Sequence, residues 1–396
     1  MELPKKVKTK MPQPIPTKIK KEHPNMGIKT FNTLLVDGSN LLEVCWAASK
    51  KYNADGRNIG AIFAFLVQIK ILLQKGNFRY VYVFWDGDNS GQLRFSQMPE
   101  YKANRDKNFE TEGLSEYMQK FNAKVKSMEN YIYNKNKTKP SMSESEKENF
   151  HWQRSILIDC LEELFVRQCL CDKTEADDLI GYYVAHKKPN ERIVICSNDR
   201  DLTQLISSDV IVYIQSFKDF VNTRNHTAKL GYYYENVVLK KMLCGDSSDN
   251  IKGIKGLGEK TLFDNFPQFK ERKVTLEEVI DGARKINEDR KNNKKPPLKW
   301  AQNIVDRVTD GCQGDKIYEI NQKIIDLKNP LMTDESKELL DNLMYAPLDP
   351  EGRSFENLYK ILIDNNIDEL RDESKFSNFF IEFRFLIDKE KNNKQW

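Results

Sequence analysis

Three short apolar runs in this chain each end on aspartate. "TLLVDG" (33–38), "YVYVFWDG" (80–87) and "RIVICSNDRD" (192–201) are rich in β-branched and aromatic residues and bounded by turn signals, the pattern of buried strands. Helical periodicity separates them at "IGAIFAFLVQIKILLQKG" (59–76), "RSILIDCLEELF" (154–165) and "EADDLIGYYVAHKK" (175–188). A further strand is expected at "DVIVYIQ" (209–215). This alternation predicts an α/β fold, a mostly parallel sheet flanked by helices. In such a sheet ligands bind beyond the carboxyl ends of the strands. Asp37, Asp86, Asp199 and Asp201 are therefore expected along one edge.

Each of those acids has an ordinary explanation, because aspartate opens turns and caps helices. "KTEADDLI" has one too: Thr174 as N-cap and Asp177 at N3, in a first turn whose dipole favours acids. That reading accounts for one or two carboxylates. It accounts poorly for Glu175, Asp177 and Asp178 together, since adjacent carboxylates repel unless a cation neutralises them. "MLCGDSSDN" (242–250) adds Asp246 and Asp249 at i, i+3 spacing, which on a helix would share one face. So many acids call for hard, oxygen-loving divalent cations, Mg²⁺ by default. Two such ions about 4 Å apart would serve the attacking and leaving oxygens of a phosphodiester. The four histidines are scattered and the seven cysteines form no CxxC pair, so neither a zinc cluster nor a histidine-based centre is indicated. The thiols read as reduced and buried, in a cytosolic protein.

Net charge is +4, from 63 basic and 59 acidic residues. That balance accommodates an acidic pocket ringed by bases, an arrangement suited to a polyanion held beside metal ions. The start, "MELPKKVKTKMPQPIPTKIKKEHPNMG", has no apolar core of a signal peptide, and residues 1–30 read as a disordered basic tail. No apolar run approaches the roughly 20 residues a membrane span needs. Residues 114–132 have helical spacing, 134–149 reads as a linker, and 288–299 as a basic polar loop.

"GIKGLGEKT" (253–261) crowds Gly253, Gly256 and Gly258 among Lys252, Lys255, Lys260 and Thr261. Glycines let backbone amides approach a phosphate closely, and a helix beginning after them adds its N-terminal dipole. The stretch nearly spells a nucleotide-binding Walker A loop, but Glu259 separates Gly258 from Lys260–Thr261. It also follows a polar helix end where that loop requires a buried strand, which argues against an ATPase.

"LLVDGSN", "VFWDGD", "PEYKANRDKN", "EADDLIGYYVA", "SNDRDLTQLI" and "GDSSDNIKGIKGLGEKT" resemble, in order, the motifs of the 5′ nucleases of the flap endonuclease superfamily. The resemblance covers about residues 33–265 and is closest to the bacteriophage and bacterial polymerase-associated 5′→3′ exonucleases. It implies a PIN-like domain over 31–229 with a helical arch at about 93–150. A helical region over 230–396 would follow, with a helix–hairpin–helix (H3TH) at about 240–265. Motif by motif it implicates Asp37, Asp86, Glu175, Asp177, Asp178, Asp199, Asp201, Asp246 and Asp249 as metal ligands, with Asp201, Asp246 and Asp249 resembling those of a second ion. Mn²⁺ would substitute for Mg²⁺, and K⁺ is a candidate ion at the hairpin. Lys102 would otherwise pair with Asp106 on a solvated helix face. By resemblance Lys102 and Arg105, on a helix beginning after Pro99, hold the scissile phosphate, Tyr101 stacks on a base, and Arg94 joins them on DNA. The hairpin residues Lys252, Gly253, Lys255, Gly256, Gly258, Lys260 and Thr261 would grip the duplex.

Two departures from the family pattern stand out. Glu43–Val44 occupy a region where an arginine is usual, and Asn198 replaces a usual glycine. The implied protein hydrolyses DNA at 5′ ends or flap junctions and removes RNA primers from RNA–DNA hybrid, working beside a replication protein such as a single-strand-binding protein. Its expected location is the cytoplasm, the host's if the chain is bacteriophage-encoded. A non-catalytic branched-DNA-binding protein and a PIN-type single-strand ribonuclease are the alternatives. The full carboxylate set argues against the first, the arch and glycine hairpin against the second.

Overall fold

A computed structural model describes residues 28–102, 142–309, 317–367 and 370–391. The sheet has six strands: β1 (Thr33–Asp37), β2 (Tyr80–Asp86), β3 (Arg167–Cys171), β4 (Ile193–Cys196), β5 (Val210–Ile214) and β6 (Asp219–Val221). Their order is β3-β2-β1-β4-β5-β6, parallel throughout except for the antiparallel pair β5–β6. Around it lie α1 (Gly38–Ala48), α2 (Gly60–Lys75), α3 (Gln92–Gln97), α4 (Glu144–Glu163) and α5 (Ala176–Ala185). The helical remainder comprises α6 (His226–Leu230), α7 (Val237–Cys244), α8 (Glu259–Asn265), α9 (Leu276–Asn292), α10 (Lys299–Asp306), α11 (Ile317–Ile325), α12 (Asp334–Leu343), α13 (Phe355–Asp364) and α14 (Glu373–Lys391).

Alternate residues of each strand enter opposite faces. Val81, Val83 and Trp85 of β2 join one apolar core with α1, α2 and α4, while Tyr82 and Phe84 join the other with α5. Both faces are therefore covered, which is why these strands read as continuous apolar runs. Strand β3 escaped the sequence pattern because it is a short edge strand with Leu170 exposed. A third core, under the glycine-rich stretch, takes Met98 and Tyr101 together with Leu243, Ile254, Leu257 and Phe266.

Several local expectations are corrected. The helix expected at 154–165 begins at Glu144, inside the presumed linker, because Ser143 and Glu146 form a reciprocal capping box. Helix α5 is capped at Glu175, not Thr174, whose hydroxyl is engaged by Ser336 at 2.8 Å. Residues 99–102, where the start of a helix is expected, form a turn with Lys102 at φ 51. Arg105 and the rest of the expected arch from 103 to 141 lie outside the described residues. Residues beyond 230 also pack on the sheet. Leu327 and Leu340 enter one sheet core, and Leu358, Phe380 and Phe383 enter the other.

Candidate active site

The carboxyl ends of β1, β2 and β4 gather the acids, and helix-capping geometry fixes several of them. Asp37 caps α1 through Asn40 N–H at 3.0 Å and accepts from Ser197 Oγ at 2.9 Å. Asp86 Oδ1 receives the first amide of α5, Ala176 N–H, at 2.9 Å. Asp199 caps the 3-10 turn Arg200–Leu205 through Asp201 N–H at 2.8 Å. The ordinary capping role and a place in the acidic cluster thus coexist in one side chain.

Two groups stand close enough to share an ion: Glu175 with Asp177 and Asp178, and Asp201 with Asp246 and Asp249, the ligand oxygens of each lying within 4.8 Å of one another. Asp246 and Asp249 do not share a helix face as the spacing suggested. Helix α7 ends at Cys244, and a tight antiparallel ribbon follows, β7 (Gly245–Asp246) against β8 (Ile251–Lys252), with Asp246 on its first strand and Asp249 in the turn between. Backbones pass closely there: a Cβ on Gly253 would collide with the backbone of Cys244 and Gly245. Packing therefore accounts for Gly253, which was expected to approach DNA.

Three cations hold the acids apart. Arg94, expected on DNA, is buried and bonds Glu175 Oε2 at 2.6 Å and both oxygens of Asp178. Its Nε donates to Ile324 O at 2.9 Å, so this guanidinium is an internal counter-charge. Tyr101 is likewise turned inward, its ring in the third core and its hydroxyl on Glu175 at 2.9 Å, so in this arrangement the ring is not open to a base. Lys102 Nζ lies 2.5 Å from Glu175, and its N–H donates to Asp249 O at 2.9 Å. Lys241, which the sequence reading missed, reaches all of the second group: Asp246 at 2.7 Å, Asp249 at 3.4 Å, and Asp201. A lysine within one helical turn of the end of α7, just ahead of two acids, was the available signal.

The electrostatics show an excess of negative charge. Burial, then the neighbouring Asp86, raises Asp37 to about 8 from an ordinary 3.8. Burial, then Asp201, raises Asp199 to about 7. Asp177 is pushed well above its ordinary range by burial. Partial burial would raise Asp246 too, but Lys241 and Ser248 hold it at about 2. Asp177 Oδ1 is buried without a hydrogen bond among the described residues, its Arg94 contact being 3.8 Å away. An all-oxygen donor set with an unfilled buried carboxylate oxygen fits hard divalent cations.

These shifts set a pH dependence. Above about pH 4 the unfolded carboxylates are ionised, while the folded Asp199 still holds its proton up to about pH 7 and the folded Asp37 up to about pH 8. The native state then binds more protons, and stability falls as pH rises. In a chelator the melting temperature should drop from about pH 5 to about pH 8, and Mg²⁺ should restore more of it at the higher pH. A melting temperature flat in pH and indifferent to Mg²⁺ would contradict this picture of the edge.

A mostly parallel sheet that collects carboxylates and interleaved cations at its carboxyl edge is a candidate site for divalent metal ions. The 5′-3′ exonuclease N-terminal resolvase-like domain matches residues 32–231, about half of the chain, and the chain belongs to that family of phosphodiester hydrolases. A 5′-3′ exonuclease of Mycoplasmopsis pulmonis is 26% identical over 262 residues, 66% of this chain and 73% of that protein. One of Mycoplasma pneumoniae is 35% identical over 156 residues, 38% of this chain and 52% of that protein. DNA polymerase I of Bacillus subtilis is 24% identical over 283 residues, 70% of this chain but 28% of the polymerase. The fold is shared with T5 5′-exonuclease, solved with bound divalent metal ions (zinc), at a TM-score of 0.52 and 18% identity, covering 84% of this chain and 97% of that one. Among the described residues no helix is long and apolar enough to cross a membrane.

Proposed function

We propose that the chain is a 5′→3′ exonuclease and flap endonuclease acting on DNA at 5′ ends or flap junctions, leaving a 5′-phosphate and a 3′-hydroxyl, with RNA primers among its substrates. The observation that carries this reading is the paired acidic groups, each with its own cation, at one sheet edge. Glu175, Asp177 and Asp178 would hold one divalent ion, and Asp201, Asp246 and Asp249 a second, with Asp37, Asp86 and Asp199 between them. Bound there, Mg²⁺, or Mn²⁺ with the same taste for oxygen, would neutralise charge on the attacking and leaving oxygens of a phosphodiester. Asp178 is the least available of the set, because Arg94 and Leu331 N–H occupy both of its oxygens.

Lys102 supplies a positive charge where the scissile phosphate would arrive, and Arg105 is proposed to share that task. The glycine turn supports a duplex grip by its exposure. Ile254 and Leu257 anchor it in the third core while Lys252, Lys255, Gly256, Gly258 and Lys260 face outward. Gly256 has φ +81, a conformation side chains resist, and a Cβ there would meet only Trp300 Cβ, at an ordinary contact distance of 3.8 Å. The basic stretch expected as a loop, which is helical as far as Asn292 at the end of α9, lies beside it. Asn303 of α10 donates to Lys255 O at 2.8 Å, and Trp300 adjoins Gly256. Lys291, Lys294, Lys295 and Lys299 are all exposed, extending a basic surface suited to a phosphate backbone.

The test is a duplex with an end-labelled 5′ flap, incubated with and without Mg²⁺, its products sized on a gel. Cutting at the junction that requires Mg²⁺ is expected. Binding without cutting would favour the non-catalytic reading, and cutting confined to single-stranded RNA the ribonuclease one.

A further inference from the structure

The end of α11 and the chain that follows it run behind both acidic groups. Arg94, which separates Glu175 from Asp178, donates through Nε to Ile324 O at 2.9 Å. Asp178 Oδ1 accepts from Leu331 N–H at 2.9 Å. Between these two points the buried Gln204 carboxamide clamps the chain from the other side. It donates to Ile325 O at 3.1 Å and accepts from Leu327 N–H at 2.9 Å. Gln204 belongs to the 3-10 turn that begins with Arg200 and Asp201. One short backbone stretch therefore touches a cation and a carboxylate of the first group and the turn that presents an acid of the second. Further back on α11, Asn321 donates to Lys252 O at 3.1 Å, on the ribbon that carries Asp246.

The crossing is close. Helix α5, whose first turn holds Asp177 and Asp178, passes Leu327 at Gly181, where a Cβ would collide with the Leu327 carbonyl oxygen. Glycine costs a helix interior stability relative to alanine, so the residue is explained by the clearance it gives the crossing chain.

We propose that residues 324–331 form a positioning strap that sets the spacing of the two acidic groups, with Gln204 clamping it and Gly181 admitting it. The strap touches no substrate. It acts by holding Arg94, Asp178 and the Asp201 turn in register, and it rests on the divalent-cation reading of the site. Misplacing supports of this kind weakens metal affinity more than it weakens contacts made elsewhere.

The test uses the full-length chain and two substitutions outside the acidic groups. Gln204→Leu keeps the size but leaves Leu327 N–H and Ile325 O unpaired, and Gly181→Ala pushes the strap off α5. For each variant Ca²⁺ binding is measured by calorimetry without DNA. The Mg²⁺ midpoint of flap cleavage and the affinity for flap DNA in a chelator are measured alongside. Ca²⁺ affinity is expected to fall by about 10- to 100-fold and the Mg²⁺ midpoint to rise in step, while chelator-phase DNA affinity stays within about twofold. A Gln204→Leu protein that melts earlier yet binds Ca²⁺ and responds to Mg²⁺ like the parent would overturn the proposal, reducing the stretch to packing. If Gly181→Ala does not fold, the Gln204→Leu result decides alone. A parent that binds Ca²⁺ but cuts no flap would remove the nuclease reading, and the calorimetry would still decide the strap.

Discussion

Asp177→Asn is expected to remove nearly all cleavage while leaving the metal-free protein at least as stable as the parent. Asp177 is a partly exposed acid whose one buried oxygen no donor satisfies among the described residues, and it stands with Glu175 and Asp178. Its carboxyl is held well above the ordinary range by burial, with both neighbours adding to the shift against the pull of Arg94. An amide of the same shape relieves that repulsion, so thermal unfolding in a chelator should occur at the same temperature or higher. Losing a ligand to a charge-stabilising ion worth several kcal/mol at the transition state should lower single-turnover cleavage by roughly 100- to 1,000-fold. The Mg²⁺-induced rise in melting temperature should shrink in parallel. Parental turnover in Mg²⁺ would remove Asp177 from the metal site, and a lower melting temperature in chelator would show that its charge is compensated.

Lys102→Ala should have the opposite stability signature and a comparable kinetic one. Its ammonium sits 2.5 Å from Glu175, which is 3% exposed, so truncation takes a counter-charge from a buried acid. Arg94 and Tyr101 still serve Glu175, so the loss should fall short of the about 3–5 kcal/mol typical of a fully orphaned buried charge. Because the lysine is proposed to act on the reacting phosphate, single-turnover cleavage should fall by about 100-fold with flap affinity changed only a few-fold. Weaker binding at an unchanged single-turnover rate would make Lys102 a peripheral contact and leave the catalytic charge to other residues.

The two substitutions separate what one site asks of its charges. Asp177 adds to the negative charge of its group, whereas Lys102 offsets it through Glu175. Lys241 stands to the second group as Lys102 does to the first, buried against Asp201, Asp246 and Asp249. Each acidic group therefore folds around a resident positive charge.

Local signals carried much of this protein. Strands buried on both faces must be apolar and β-branched, so β1, β2, β4 and β5 could be placed from residues a few positions apart, and the acids closing β1, β2 and β4 fell on one edge by the rule of parallel sheets. The family motifs rest on the same short-range patterns. What the sequence could not reveal is which way charged side chains turn, because that depends on partners far along the chain. Arg94 faces inward through a carbonyl 230 residues away and a carboxylate 84 residues away. Tyr101 is turned by Glu175, 74 residues on, and Lys241 by Asp201, 40 residues back. Asp246 and Asp249 left the helix their spacing suggested because two glycines let a ribbon form where α7 ends. A buried charge takes the orientation that gives it a partner, and only the closed tertiary structure decides which partners stand within reach.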